Sequence, residues 1–361
     1  MQQPVADKSP TVDIVKLSKS PSRRFIKFMH FFIVVTGFAV LGAHSYAVYG
    51  PGPSGCVLEV RPWLVRQRAC ALVEANCHPR IDNNLVNGNA IEFSALFQEL
   101  ETHSLAQITF RHCSQIEFTK DFQRFSHLLG IKLYNSTVAS WSADAAIDSK
   151  CHTKIMFSYF VRTVFPQQMI PDGLRSRTFP QQLKDIEFCV TNIKTLPEDI
   201  HLSWPPLLTL VVEYARLETV PEVVKQLRPL EIGFCGNPIK AVDPWVVMMP
   251  DLEALILCNT PITTLPSDGI DASAIAIRTF SLRYSNMTVP PSWMTPQFCK
   301  NRRILAGGTP LCRALDNPQE NEPLSLSLPE QAALRAAINC VDSKRYYFYP
   351  IAYDERAEEM W

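Results

Sequence analysis

Between Leu183 and Pro266 the apolar residues recur in one phase, about every 23 residues. Leu183, Ile186, Phe188, Thr191, Ile193 and Leu196-Pro197 are followed by Leu207, Leu210, Val212, Ala215, Leu217 and Val220-Pro221. Ile232, Phe234, Asn237, Ile239 and Val242 repeat the frame, and Leu252, Leu255, Leu257, Thr260, Ile262 and Leu265-Pro266 repeat it again. Upstream, Leu105, Ile108, Phe110, Cys113 and Ile116 fit one frame, and Leu128, Ile131, Leu133, Ser136 and Val138 fit the next. Downstream, Ile277, Phe280, Leu282, Ser285 and Met287 fit a last one. Between Val138 and Leu183 the phase is poor; Met156, Tyr159 and Val161 make a degenerate frame after an irregular stretch over 144–153.

Alternation at the fourth and sixth positions of each frame predicts a short strand with one face inward. The spacing is that of the leucine-rich repeat, L-x-x-L-x-L-x-x-N/C-x-L. One such unit cannot bury its own apolar face, so the units must stack on one another. The expected fold is an α/β leucine-rich-repeat solenoid with a curved, parallel concave sheet. Leu-Pro and Val-Pro closings halt helices, because proline lacks an amide donor and restrains its predecessor. The convex side is therefore expected to be mostly extended or 3-10, in keeping with 28 prolines. Repeats are assigned to 105–292, between cysteine-containing ends at 49–104 and 293–361.

The amino terminus breaks this pattern. Residues 1–27 are polar and basic, with Lys8, Lys16, Lys19, Arg23, Arg24 and Lys27 against Asp7 and Asp13. Residues 28–48 are almost wholly apolar and long enough to cross a bilayer as one helix. Basic residues before the span predict a cytosolic tail and an external carboxyl-terminal domain. A cleaved signal peptide is the alternative, with small residues near Ala43–Ala47; the long polar lead-in favours a signal anchor.

Eleven cysteines fit an oxidising compartment. Cys56, Cys70 and Cys77 precede the repeats, and Cys299, Cys312 and Cys340 follow them. These are the disulfide candidates: Cys70–Cys77 or Cys56–Cys77 at one end, a pair among the last three at the other. Cys113 reads as a small buried residue in an N/C slot. Cys189, Cys235 and Cys258 fall in one column of the concave face, with Glu213 between the first two. They read as small side chains tolerated in a crowded file, because bridges between adjacent parallel strands are geometrically awkward. A reactive or bridging thiol ladder is the alternative. Asn135-Ser136-Thr137 and Asn286-Met287-Thr288 are glycosylation sequons.

Charge balances at 35 basic and 35 acidic residues, so nothing points to nucleic acid. The histidines share no repeat position, no nucleophile motif stands out, and no cysteine spacing matches a standard zinc site. Catalysis, a metal, a cofactor and a small-molecule substrate are not expected. The outward strand positions hold Arg111, Tyr134, Glu187, Glu213, Tyr214, Arg283 and Tyr284. Aromatic residues, arginine and scattered charge of this kind suit a surface that binds a protein or a glycan.

Flanking motifs add to the repeats. They include Val60-Arg61-Pro62-Trp63-Leu64, the stretch Cys70–Cys77, Ala306-Gly307-Gly308-Thr309-Pro310-Leu311-Cys312 and Tyr347-Phe348-Tyr349-Pro350-Ile351. With them the chain resembles the membrane-anchored leucine-rich-repeat proteins that oomycetes such as Phytophthora encode in large families. The resemblance implies a repeat ectodomain and a membrane segment, and no particular activity. The expected protein is a single-pass membrane protein that binds a partner through its concave face. A secreted binding or inhibitor protein and a cytosolic repeat scaffold are the rivals.

Overall fold

A computed structural model describes residues 23–49, 52–63, 65, 69–79, 85–317, 324, 326–342 and 348–358. Most of the basic lead-in, 1–22, lies outside the described residues. The chain divides into two compact units, residues 1–50 with 62–64, and the remainder. Among its described residues the first unit holds the helix Arg23–Val48, whose Phe25, Phe28, Phe31, Phe32 and Phe38 are exposed. By length and composition it is apolar enough to cross a membrane, and a signal sequence passes the same test.

The second unit is a 12-stranded sheet. Its strands are β1 (Cys56–Glu59), β2 (Cys70–Asn76), β3 (Gln107–Arg111), β4 (Ile116–Glu117), β5 (Gly130–Ser140) and β6 (Phe157–Val164). Then follow β7 (Asp185–Cys189), β8 (Thr209–Glu213), β9 (Glu231–Gly233), β10 (Ala254–Ile256), β11 (Thr279–Ser281) and β12 (Arg303–Leu305). β1 pairs antiparallel with β2, and β4 pairs only with β5. From β2 to β12 the remaining strands run parallel in chain order.

Each strand repeats one register. Ile108, Ile131, Ser158, Ile186 and Leu210 are successive partners, and so are Phe110, Leu133, Phe160, Phe188 and Val212. These two inward files are buried and form the core with the Leu-Pro and Val-Pro closings. Aromatic rings interleave there, with Phe160 stacked on Phe188 at 4.9 Å and Phe118 on Trp141 at 3.9 Å. Behind the sheet lie the ten-residue helix Ala90–Glu99, 3-10 turns such as Lys120–Arg124, Asp172–Leu174 and Ile200–Leu202, and single helical turns such as Pro244–Val247.

The sheet extends past the phased sequence. β2 joins it before the first frame and β12 after the last, so both cysteine-containing ends contribute strands. The degenerate frame at Met156, Tyr159 and Val161 is a full strand, β6, read one residue out of phase. Ile155, Ser158 and Phe160 are its inward residues; Met156 is exposed, and Val161 faces the opposite side.

From β3 onward each repeat passes through the left-handed region at or just past the core of its strand. His112, Asn135, Arg162, Val190, Tyr214, Gly236, Asn259, Tyr284 and Gly308 all have φ between 46° and 79°. Gly236 and Gly308 are needed there for space as well, since a Cβ would meet the rings of Tyr214 and Tyr284 at 2.4 Å. Just beyond this turn a buried polar residue ties neighbouring repeats together. Asn237 accepts from the Leu217 amide at 3.1 Å and donates to the carbonyls of Val212 and Phe234, at 2.6 and 3.1 Å.

Of four disulfides, the first two correct the pairing expected at the amino-terminal end. Cys56 joins Cys70, and Cys77 joins Cys113. Cys70 and Cys77 could not pair, because they stand at the two ends of one extended run, about 23 Å apart at strand rise. Cys113 is therefore not a mere small filler; it lies beside Cys77 with Cα atoms 4.9 Å apart. Cys312 joins Cys340, and Cys299 is a free, buried thiol, so it drops out of the disulfide candidates. Burial pushes the Cys299 thiol up to about 12, so it stays protonated. Cys235 and Cys258 bridge two neighbouring strand exits across a Cα separation of 4.5 Å. They are not merely tolerated small residues: at strand spacing the two Cα atoms already stand within bridging range.

Candidate functional site

The strand positions between the inward files point to the other side of the sheet, its front face. One column there runs Arg111, Tyr134, Val161, Cys189 and Glu213 by pairing, and continues through Cys235, Cys258 and Arg283 along the strand-exit hydrogen bonds. A neighbouring column runs Lys132, Tyr159, Glu187, Val211 and Gly233.

This face is not open along its length. The chain's own carboxyl-terminal segment, 348–358, lies across it. Glu213 is fully buried, and its carboxylate accepts the main-chain N–H of Phe348 at 2.7 Å and that of Tyr349 at 3.1 Å. On one side of Glu213, Phe348 packs on Ala254, Ile256 and the Cys235–Cys258 bridge. Gly233 lies under it, where a Cβ would come within 3.5 Å of the Phe348 side chain. On the other side Tyr349 and Ile351 cover Tyr134, Val161 and Cys189. The segment then forms the short helix Ala352–Glu358. Its buried Asp354 accepts from Lys132, lies 3.7 Å from the Arg111 guanidinium and accepts the Tyr349 hydroxyl at 2.8 Å. Glu355 pairs with Arg162 at 2.5 Å.

The outward residues named from the sequence therefore divide. Arg111, Tyr134, Glu187 and Glu213 share this covered patch, and all four are buried. They are not the exposed contact residues that strand alternation predicts, because the tail covers them. Arg111 also pairs with Glu74 at 3.1 Å and sits over the Tyr134 ring at 4.7 Å. Tyr214 stands at the Phe348 end, where its hydroxyl accepts from Asn259 at 3.3 Å. Arg283 and Tyr284 are partly exposed three repeats further on, and Tyr284 donates to Asp342. Asn135 and Asn286 are both exposed, so each sequon asparagine is open to solvent.

Electrostatics concentrate at the middle of the patch. Desolvation first, then the charges of Asp185 and Glu213, push the Glu187 carboxyl up to about 9. Asp185 is also raised by burial, and it accepts the Tyr159 hydroxyl at 2.7 Å. Glu187 therefore carries a proton at neutral pH and shares it with Asp185. The Cys189 thiol is pushed well up by burial, and then by Glu213 and Glu187. The shift favours the thiol over the thiolate, which is the nucleophile, while the tail covers it.

The ligating atoms of Glu213, Cys235 and Cys258 lie within 4.8 Å of one another. The two sulfurs are bonded to each other and the carboxylate is taken by two amides. In that state the trio does not fit a metal. What the patch offers is recognition: a carboxylate for main-chain amides, apolar slots on both sides and a cationic end for a carboxylate.

The sequence contained a signal for this site. Val161, Cys189, Val211, Ala254 and Ile256 are apolar residues at outward positions, which a solvated face would not need. Phe348-Tyr349-Pro350-Ile351 is an apolar run with no repeat slot of its own.

No protein-family model and no curated protein matches this sequence. Solved structures do resemble the chain. The crystal structure of Listeria monocytogenes InlP is similar at 14% identity, covering 62% of this chain and 58% of that one, with a TM-score of 0.44. The structure of the Leptospira interrogans LRR protein LIC12759 is similar at 14% identity, covering 71% of this chain and 81% of that one, with a TM-score of 0.26.

Proposed function

We propose that this chain is a leucine-rich-repeat solenoid whose concave front face binds an extended segment of a protein partner. The observation that carries the reading is the Glu213 carboxylate, buried and bonded to two consecutive main-chain amides of a polypeptide. Apolar slots on either side and the Arg111–Lys132 end give such a segment direction and register. Hydrogen bonds to a charged acceptor contribute about 1.5–3 kcal/mol each, enough to fix where a backbone lies. A glycan offers no consecutive amides of this kind, so a protein is favoured.

The domain is read as lying outside the cytosol, anchored by the helix Arg23–Val48, as in the oomycete proteins it resembles. Four disulfides and an apolar amino-terminal helix are consistent with a secreted or extracellular domain. An endoglycosidase shift that disappears with Asn135→Gln and Asn286→Gln supports that location, and a membrane-pellet protein of intact length supports the anchor.

Peptide display against the full-length chain carrying Tyr349→Ala and Asp354→Ala tests the function. The reading predicts enriched peptides whose binding is lost with Val161→Arg on the front face. Binding should survive Leu202→Arg, an exposed residue behind the sheet. Enrichment of nothing, or binding insensitive to Val161→Arg, contradicts it.

A further inference from the structure

The tail seated on the front face also describes what that face selects. We infer that the partner segment repeats the tail's own chemistry: an aromatic residue, then Tyr-Pro-aliphatic, then a carboxylate five residues after the tyrosine. This rests on the reading above and deepens it.

Each element of that motif meets a built subsite. The aromatic ring of Phe348 fills a slab floored by Gly233 and the Cys235–Cys258 bridge, close enough that a Cβ at 233 would touch its side chain at 3.5 Å. Tyr349 lies edge-on to Tyr159 at 5.9 Å, with the Lys132 ammonium 5.7 Å from its ring. Pro350 restrains Tyr349 to extended backbone before binding, which is the shape in which both amides reach Glu213. Ile351 packs with Tyr134 and Val161. The Asp354 carboxylate closes the motif on Lys132 and Arg111.

The tail's length makes it a replaceable occupant rather than a fixed part of the core. Its helix has seven residues, too few to hold its shape without the sheet. Beside the tail Glu187 is buried and shares its proton with Asp185, so the pair asks for no further donor from the occupant. A partner with the same anchors would match the face as the tail does. The tail, tethered at an effective concentration on the order of mM, then acts as a resident competitor that weak or unrelated segments do not displace.

The test uses the full-length chain in detergent and a fluorescent synthetic peptide with the sequence of residues 346–358. If the tail is seated nine-tenths of the time, loosening it with Tyr349→Ala and Asp354→Ala should tighten peptide binding by up to about tenfold. The peptide bearing Asp354→Lys should lose about tenfold or more, and a chain also carrying Lys132→Asp should recover at least about threefold of it, which shows that the variant is folded. A loosened chain that takes displayed peptides of other sequences but binds this one no better than a scrambled control overturns the motif and leaves the proposed function standing. A loosened chain that binds no peptide overturns both. Wild-type chain that forms dimers by exchanging tails makes a second copy the occupant and also overturns the inference.

Discussion

Ser158 is the residue that most clearly departs from its neighbours. It sits at the inward position that Ile131 and Ile186 hold on the strands beside it, fully buried, and its hydroxyl has no hydrogen-bond partner among the described residues. A buried hydroxyl left unpaired costs about 1–3 kcal/mol. Ser158→Val should therefore stabilise the chain by about 1 kcal/mol or more, read as a higher denaturant midpoint. The same residue explains why this repeat was illegible in sequence. With a polar residue in the inward file and Tyr159 and Val161 apolar beside it, alternation points to the wrong face, and a one-residue slip exchanges the two faces. Glu187 carries a second residue-scale consequence. Its native pKa of about 9 lies above its ordinary value of 4.5, so above pH 4.5 the folded chain holds a proton that the unfolded chain releases. Its contribution is full below that ordinary value and is lost as pH rises toward 9. Glu187→Gln should flatten the decline in stability between those two values and raise stability at pH 8, measured by thermal unfolding across the range.

The repeating element is a strand, a left-handed exit and a turn behind the sheet. Its strand was readable because two apolar files recur in constant phase, and the burial of those files is what stacks the units. The exit was not readable, because no one residue type marks it: histidine, asparagine, arginine, valine, tyrosine and glycine all occupy it. Valine is the costly one. A β-branched residue in the left-handed region is a steric outlier, and the conformation costs an L-residue roughly 1–2 kcal/mol. Val190 is held there at φ 57°, with its amide bonded to the Glu213 carbonyl at 2.9 Å. Val190→Asn, with an asparagine as at the same turn in Asn135 and Asn259, should raise stability by about 1 kcal/mol in chemical denaturation. A loss would mean that its packing beside Tyr349 and Cys189 outweighs the backbone term. The disulfides belong to this scale too. Repeat phase already put Cys235 and Cys258 in one column, but only strand register shows that Cys77 lies beside Cys113.

For the molecule as a whole, the apolar residues on the front face acquire a reason once the tail is in place. Tyr134, Val161 and Cys189 are buried because the segment beginning at Phe348 returns across the repeats. That contact joins Glu213 to residues 135 and 136 positions later, and no local pattern encodes a pairing of that separation. The concave binding surface of the proposed function is thus a surface with an occupant, and access to it should be governed by how often the tail lifts. Cys189 lies under the tail as a free, protonated thiol, so it reports that event directly. The decisive measurement is the rate of Cys189 alkylation in the full-length chain, resolved from Cys151 and Cys299 by mass spectrometry. The account predicts slow labelling in the wild-type chain and labelling at least about tenfold faster with Tyr349→Ala and Ile351→Ala. Protection should return when the peptide of residues 346–358 is added. The tenfold corresponds to losing about 1.4 kcal/mol of the burial that those two side chains provide. Equal rates in both chains, or no protection by the peptide, would contradict a front face built to hold a polypeptide.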